Sequence, residues 1–415
     1  MLKNMKIGII IPQSKFFGGG PRIALELAQS LRRKGHAITL YTFRHVEQDG
    51  ANFDTLVAGL PIVSLPKTVD FKRRPFLGLF YIPGTSAILK YKHELKLARM
   101  LAKLIAKDTE ALIPQTTRSS IITAYYFNRS RKKHIPVIWQ MNDMVSFTFK
   151  ACFGDSWTTN ACSFWRRLWY GFMDRLDRRF MRAADEISVL ANVIKNQVRT
   201  GLSREAVVVR VGVNVEQFEY HPHALPNGKI RLLGHAQFFT HRRFEDAVSA
   251  TAILVKKGYD IELTLSGDGD TYHAYREYRN IVKERANAHG IGDRIHFPGR
   301  ISEEAFLREL YESHIFIFPH IRQSWGLVPF EAMATGLPVI ASNETGASEV
   351  LKDGETALIV PAREPQKIAD AIIRLIDNPA LYEKISKNGA AWVRKELTWD
   401  NYADTLLQLI QKHRP

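Results

Sequence analysis

Short apolar runs alternate with helix-length amphipathic segments over most of the chain. The runs Lys6–Ile11, Ala37–Thr42, Val207–Val211, Ile230–Leu233, Ile261–Leu265, Arg294–Phe297, His314–Phe318, Pro338–Ala341 and Ala357–Val360 each predict a strand. Between them, Arg22–Lys34, Leu95–Lys107, Phe244–Lys257, Ser302–Glu312, Pro329–Ala334, Gln366–Ile376 and Tyr382–Glu396 predict helices. Strand, helix, strand in this rhythm implies parallel sheets covered on both faces. The rhythm starts at residue 6, falters from about residue 45 to 205, and restarts cleanly near 206, which predicts two doubly wound α/β domains. A chain of 415 residues also exceeds what a single core supports.

Charge changes this picture. Residues 1–210 carry 34 Lys and Arg against 15 Asp and Glu, and the remainder carries 24 against 27. All the excess positive charge therefore lies in the first half, which implies an anionic partner there: a nucleic acid or an anionic membrane surface. A merely soluble basic surface is the plain alternative. The stretch Phe71–Trp169 is irregular and rich in basic and aromatic residues. No run of about 18 apolar residues occurs, so no bilayer span is expected, and Ile7–Ile11 is too short for a leader core. Cys152 and Cys162 have no metal-binding spacing and form no disulfide framework, in keeping with a reducing compartment.

Two segments carry chemistry. Phe17-Gly18-Gly19-Gly20-Pro21-Arg22 follows the first strand and opens a helix. Gly19 and Gly20 let backbone approach a ligand, Pro21 pre-sets the first helical turn, and the helix start offers free N–H groups to an anion. The spacing is not Gly-x-Gly-x-x-Gly, so no dinucleotide is expected. An empty tight turn is the plain alternative. The second segment, Arg322 to Ser342, passes from a strand end through Gly326 into a short helix and back to a strand. Ligands of open α/β sheets bind beyond the carboxyl ends of strands, so the amides of Leu327 and Val328 can meet a diphosphate and Glu331 a ribose. The plain alternative for Glu331 is a carboxylate answering the helix dipole.

Gln323 to Ala341 resembles the signature of family 4 glycosyltransferases, retaining enzymes of the GT-B fold. Their pattern is Glu, seven residues, Glu, then Ala-Met-Ala-x-Gly-x-Pro-Val-Ile-Ala. The likeness extends through Ser342–Val350, Asp353–Thr356, Leu358–Pro361, Ser266-Gly267-Asp268-Gly269 and Phe297-Pro298-Gly299-Arg300. It also takes in Gly18–Gly20, Leu27-Ala28, Lys34-Gly35-His36 and Val211–Asn214 with Phe218. The resemblance implies two Rossmann-like domains facing each other across a cleft. Residues 1–205 would bind the acceptor, 206–396 the nucleotide sugar, and 397–415 would return as a helix to the first domain.

The departures from the family pattern bear on chemistry. The family's first Glu, which contacts the donor sugar, falls on Gln323; the second is Glu331, which holds the ribose. Gln323 keeps an acceptor, adds donors and loses the charge that helps an oxocarbenium-like centre. Gly234-His235 stands for the family's Gly-Arg, and the diphosphate lysine falls in His241–Asp246, so Arg242 or Arg243 is expected to supply the cation. The family's catalytic-side His appears as Asn142. The implied catalytic residues are Gln323, Glu331 and Asn142. Those implied for the donor are Gly19, Gly20, Arg242, Arg243, Gly267, Arg300, Gly326, Leu327, Val328 and Glu331.

No metal ligands and no cofactor are expected, since arginines and helix ends neutralise the diphosphate. The expected activity is retaining transfer from a nucleotide-diphosphate sugar to a glycan or lipid-linked acceptor in envelope polysaccharide or glycolipid assembly. The rivals are a GT-B epimerase, a phosphorylase and a catalytically dead binding subunit. No nucleic-acid motif occurs, so an anionic membrane is the expected partner of the basic half, placing the protein at the cytoplasmic face of the cell membrane. Phe71–Ile82 and Phe164–Met173 read as interfacial segments, the second with a sheet-packed helix as its alternative.

Overall fold

A computed structural model of the protein describes residues 4–12, 19–44, 54–66, 85–143, 164–226 and 228–414. Within them the first domain runs β1 (Lys6–Ile11), α1 (Gly19–Arg33), β2 (Ala37–Thr42), α2 (Asp54–Val57), β3 (Ile62–Ser64), α3 (Thr85–Leu104), β4 (Ala111–Pro114), α4 (Arg118–Arg129), β5 (Ile138–Met141), α5 (Phe164–Met181), β6 (Glu186–Val189), α6 (Asn192–Leu202) and β7 (Val207–Val208). The second runs β8 (Ile230–His235), α7 (Phe244–Lys256), β9 (Ile261–Ser266), α8 (His273–Ala288), β10 (Ile295–Gly299), α9 (Glu303–Glu312), β11 (Ile315–Phe318), α10 (Val328–Thr335), β12 (Val339–Ser342), β13 (Leu358–Val360), α11 (Pro365–Ile376) and α12 (Pro379–Glu396). A last helix, α13 (Trp399–Lys412), follows.

Both sheets are parallel. The first has the order β3-β2-β1-β4, continued through bridges Leu112–Val137 and Gln115–Gln140 to β5-β6-β7. The second has the order β10-β9-β8-β11-β12-β13. The stretch from 45 to 205 is thus less irregular than its sequence suggests. Its strands among the described residues are only three or four residues long, too short to show a periodicity.

Alternation along β1 divides the core. Ile7, Ile9 and Ile11 face α1 and α13, while Ile10 faces the side packed by α3 and α4. The second domain has its own apolar cluster around Leu232, Leu263 and Ile317. The chain crosses between domains twice, and the crossings touch: the Val213 amide donates to the Leu397 carbonyl at 2.8 Å. A Cβ on Gly212 would lie 2.2 Å from the Trp399 nitrogen, so only glycine fits this crossing. Helix α13, capped by Thr398, then packs on α1. Ser30 donates to Asp400 (2.6 Å), and Lys34 pairs with Asp404 (2.8 Å). Beyond its end, His413 bonds Glu186 (2.9 Å) and Arg414 bonds Glu110 (2.5 Å).

Candidate functional site

In a doubly wound sheet, the crevice opens where neighbouring strands send their connections to opposite faces. That point lies between β1 and β4 in the first domain and between β8 and β11 in the second. The two crevices face each other across a cleft of about 540 Å³. Strand ends line it on both sides: Pro12 after β1, Gln115–Thr117 after β4, Asn142 and Asp143 after β5, His235–Gln237 after β8, and His320 after β11. The volume is in the range of pockets that enclose a ligand the size of a nucleotide.

Two helix starts open on the cleft. Gly19 and Gly20 begin α1, which has no acidic residue in its first turn, so its positive end is uncompensated there. Gly326, Leu327 and Val328 lead into α10 from the other side. The loops are close: a Cβ on Gly19 would lie 3.8 Å from Leu327 Cδ1. Pro329 sets the first turn of α10, Gly336 ends it, and Trp325 stacks on Phe330 at 4.8 Å beneath it.

Glu331 sits in the first turn of α10, with a side chain only 5% exposed. Its Oε1 accepts from Nη1 of Arg22, on α1 of the other domain, at 2.8 Å. Burial pushes the Glu331 carboxyl above its ordinary range, and Arg22 pulls against it.

The other wall is built around Arg242, in the turn after β8. Its Nη1 donates to Gln323 Oε1 and to His320 Nδ1, the latter at 3.2 Å. Burial and then the charge of Arg242 lower three neighbouring imidazoles, His235 to about 4, His241 to about 2, and His320 well below the ordinary value. All three are neutral at pH 7, so positive charge on this wall is concentrated on Arg242, whose own value burial lowers only to about 10. Since Arg242 can only donate, it fixes the Gln323 carbonyl toward itself. On the first-domain side, Asn142 Oδ1 accepts from Gln140 Nε2 (3.1 Å), whose Oε1 accepts from Ser188 (2.6 Å). This buried ladder turns the Asn142 amide nitrogen toward Gly20.

Nine of the twelve residues expected at the site thus line one cleft: Gly19, Gly20, Asn142, Arg242, Gln323, Gly326, Leu327, Val328 and Glu331. Three stand elsewhere. Arg243 is drawn away by Glu245 (2.6 Å) and Asp246 (2.8 Å), which settles the choice between the two arginines as cleft-lining groups. Gly267, at φ +130°, sits where a Cβ would come 2.0 Å from the Ala236 carbonyl oxygen, so it serves the packing of β9 against the β8 loop. Arg300 is exposed and acts on the Asp268 carboxylate. Phe71–Ile82, Phe17, Gly18 and both cysteines lie outside the described residues, as do the side chains of Phe164–Tyr170 and Met173.

Sequence reading missed Arg22, His320 and Gln115. Arg22 and Glu331 are 309 positions apart, and only the place of Arg22 in a glycine-opened helix hinted at a ligand-side role. Among the described residues no group of three or more His, Cys, Asp or Glu side chains could hold a metal ion, and no helix is long and apolar enough to cross a membrane.

Two family models match the chain in tandem. One, described as Glycosyltransferase Family 4, matches residues 17–217; the other, Glycosyl transferases group 1, matches 216–392. Among curated relatives, a phosphatidyl-myo-inositol mannosyltransferase of Mycobacterium leprae is 28% identical over 51% of this chain and 54% of its own. A capsular polysaccharide biosynthesis glycosyltransferase, CapM, of Staphylococcus aureus is 25% identical over 54% of this chain and 60% of its own. The chain thus spans a little over half the length of these relatives. Sucrose-phosphate synthase from Thermosynechococcus elongatus shares the fold over 99% of both chains, with TM-score 0.75 and 19% identity. Anabaena HepE, solved with UDP-glucose, shares it over 99% of this chain and 100% of its own, with TM-score 0.70 and 15% identity.

Proposed function

Because the chain belongs to the family 4 glycosyltransferases (glycosyl transferases group 1) and has the GT-B fold, we propose that it moves a sugar, with retention, from a nucleotide-diphosphate sugar to a glycan or lipid-linked acceptor. The observation that carries this reading is the cleft itself. Arg242, the start of α10 and Glu331 line its second-domain side, and the start of α1 and Asn142 line its first-domain side. The diphosphate lies against Arg242 and the α10 start, and a ribose hydroxyl donates to Glu331. As the bond from the sugar C1 to the diphosphate oxygen breaks, the positive charge at C1 and the negative charge on the leaving group grow together. Arg242 and the helix start stabilise the latter. The acceptor oxygen bonds C1 on the face the diphosphate leaves, and its proton passes to the leaving phosphate. HepE, solved with UDP-glucose, supports a donor of this class.

Glu331→Gln tests the donor site. It replaces a charge-assisted acceptor by an amide, so the nucleotide dissociation constant should rise about tenfold or more. Unchanged affinity in a folded variant removes Glu331 from the site. The reading needs no metal, because Arg242 and two helix starts supply the positive potential; turnover lost in EDTA and restored by magnesium or manganese would overturn that. A catalytically weak binding subunit is the second reading, favoured by the neutral Gln323, and nucleotide binding without turnover would establish it.

The acceptor half is further proposed to dock on the anionic inner face of the cell membrane, in envelope polysaccharide or glycolipid assembly. Lys92, Lys96, Arg99 and Lys103 line one exposed face of α3 beside Leu95 and Met100. Phe172, Arg175, Arg178, Arg179 and Arg182 are exposed on or just beyond α5. Each such cation near an anionic surface contributes about 1 kcal/mol. Binding to vesicles of anionic lipid should be salt-sensitive and should fall on changing the four α3 cations to Glu, with nucleotide affinity unaltered. Equal binding to neutral vesicles would refute it.

A further inference from the structure

Glu331 carries the donor reading, yet its cationic partner belongs to the opposite domain. Arg22 Nη1 meets Glu331 Oε1 at 2.8 Å, with both side chains largely buried. The guanidinium is itself held in place. Its Nη2 donates to Gln217 Oε1 at 3.3 Å, its Nε lies 3.9 Å from Glu26, and it sits over the Phe218 ring at 5.8 Å. Gln217 in turn donates to Glu303 at 3.2 Å. Arg22 is thus fixed from the inter-domain segment as well as from its own helix. Glu331 Oε2 receives no donor from the described residues, so it is the oxygen open to a ligand.

We propose that Arg22 is the positioning residue of the donor carboxylate: it fixes Glu331 Oε1 from across the cleft and leaves Oε2 for a ribose hydroxyl, so that the donor site is complete only while the domains are closed. This rests on the donor reading above.

The electrostatics follow from the groups that face Glu331. Arg22 from α1 is the cation; Glu303 from α9 and, behind Arg22, Glu26 are like charges. Arg394 of α12 bonds the far end of α10, at the Ala334 carbonyl, and does not meet the carboxylate. Without Arg22, a buried carboxyl facing other carboxylates takes up a proton well above the ordinary range. A protonated Glu331 offers the ribose no charged acceptor. Opening the cleft withdraws Arg22 from Oε1 and leaves the carboxylate without its fixed partner, so nucleotide binding and closure favour each other.

The test is calorimetric titration of the full chain with UDP, GDP, dTDP and ADP between pH 5.5 and 8.5. The wild type should bind one of them, and its own pH profile, which contains the second ionisation of the terminal phosphate at about pH 6, is the reference. Arg22→Met should bind it about tenfold more weakly than wild type at pH 8, the loss expected for one charge-assisted contact, and the gap should widen as pH falls. Arg22→Lys should recover most of the affinity and the wild-type profile, and it remains informative if the Met variant does not fold. In Arg22→Met/Glu331→Gln the widening should vanish. An Arg22→Met profile that superimposes on wild type overturns the proposal, as does a gap that still widens in the double variant. A wild type that binds none of the four nucleotides overturns the donor reading itself, whereas a wild type that binds and is indifferent to Arg22 overturns only this inference.

Discussion

Arg242→Ala should weaken nucleoside-diphosphate binding by roughly a hundredfold, the scale expected when one member of a buried charged contact is truncated. Arg243→Ala should leave it within a few-fold of wild type. The two residues are neighbours of identical type, so the contrast isolates placement. Arg242 faces the cleft among neutral imidazoles, with the uncharged Gln323 Oε1 and His320 Nδ1 as acceptors and the Asp143 carboxylate acting on it from the first domain. Arg243 spends its charge on Glu245 and Asp246. The loss at Arg242 should be specific to the phosphates: calorimetry with a nucleoside diphosphate and with the bare nucleoside should show the first collapse and the second barely move. Equal losses for both ligands, or a larger loss at Arg243, would place the phosphate grip elsewhere.

Gly267→Ala should destabilise the second domain by about 2–6 kcal/mol, combining left-handed backbone strain with overpacking. Glycine holds φ at +130°, and an added Cβ would stand 2.0 Å from the Ala236 oxygen and 2.5 Å from its carbonyl carbon. Neither neighbour is a side-chain end that can swing aside. Relief requires moving Ala236 and Gln237, both of which line the cleft, so nucleotide affinity should fall together with stability. Urea unfolding followed by a probe in the second domain should show an earlier midpoint. A variant of native stability that has lost only its nucleotide affinity would instead mean that Gly267 meets the ligand directly.

Legibility in the sequence followed strand length and local chemistry. Ile230–His235 and Ile261–Ser266 are six residues each with three large apolar side chains apiece, and the sequence placed them to within two residues. In the first domain Ile138–Met141 and Glu186–Val189 are four residues each and carry buried polar groups: Gln140 and Ser188 bond each other, and Glu186 answers His413 more than two hundred positions away. A pattern of apolar positions cannot mark such strands, because tertiary partners are what make their polar residues tolerable. The same holds at the site. Gly326 to Glu331 is one contiguous turn and helix start, readable locally. The local signal separating Arg242 from Arg243 was present in Glu245 and Asp246, two and three positions beyond Arg243. Arg22 acquires its role only through a contact across the whole molecule.

The return of α13 onto α1 has a consequence for biosynthesis. The first domain is discontinuous: its α1 face, with Ser30 and Lys34, is covered by Asp400 and Asp404. A nascent chain therefore exposes that face while the whole second domain is still being translated. At ordinary rates of synthesis, roughly 190 intervening residues take about 10–40 s to emerge. During that interval Leu27, Leu31 and the α1 side of β1 lack the Leu406, Leu407 and Ile410 that bury them in the finished protein. The ribosome thus delivers the second domain, with its own cluster around Leu232, Leu263 and Ile317, before the first can close its core, and the domain begun first is finished last.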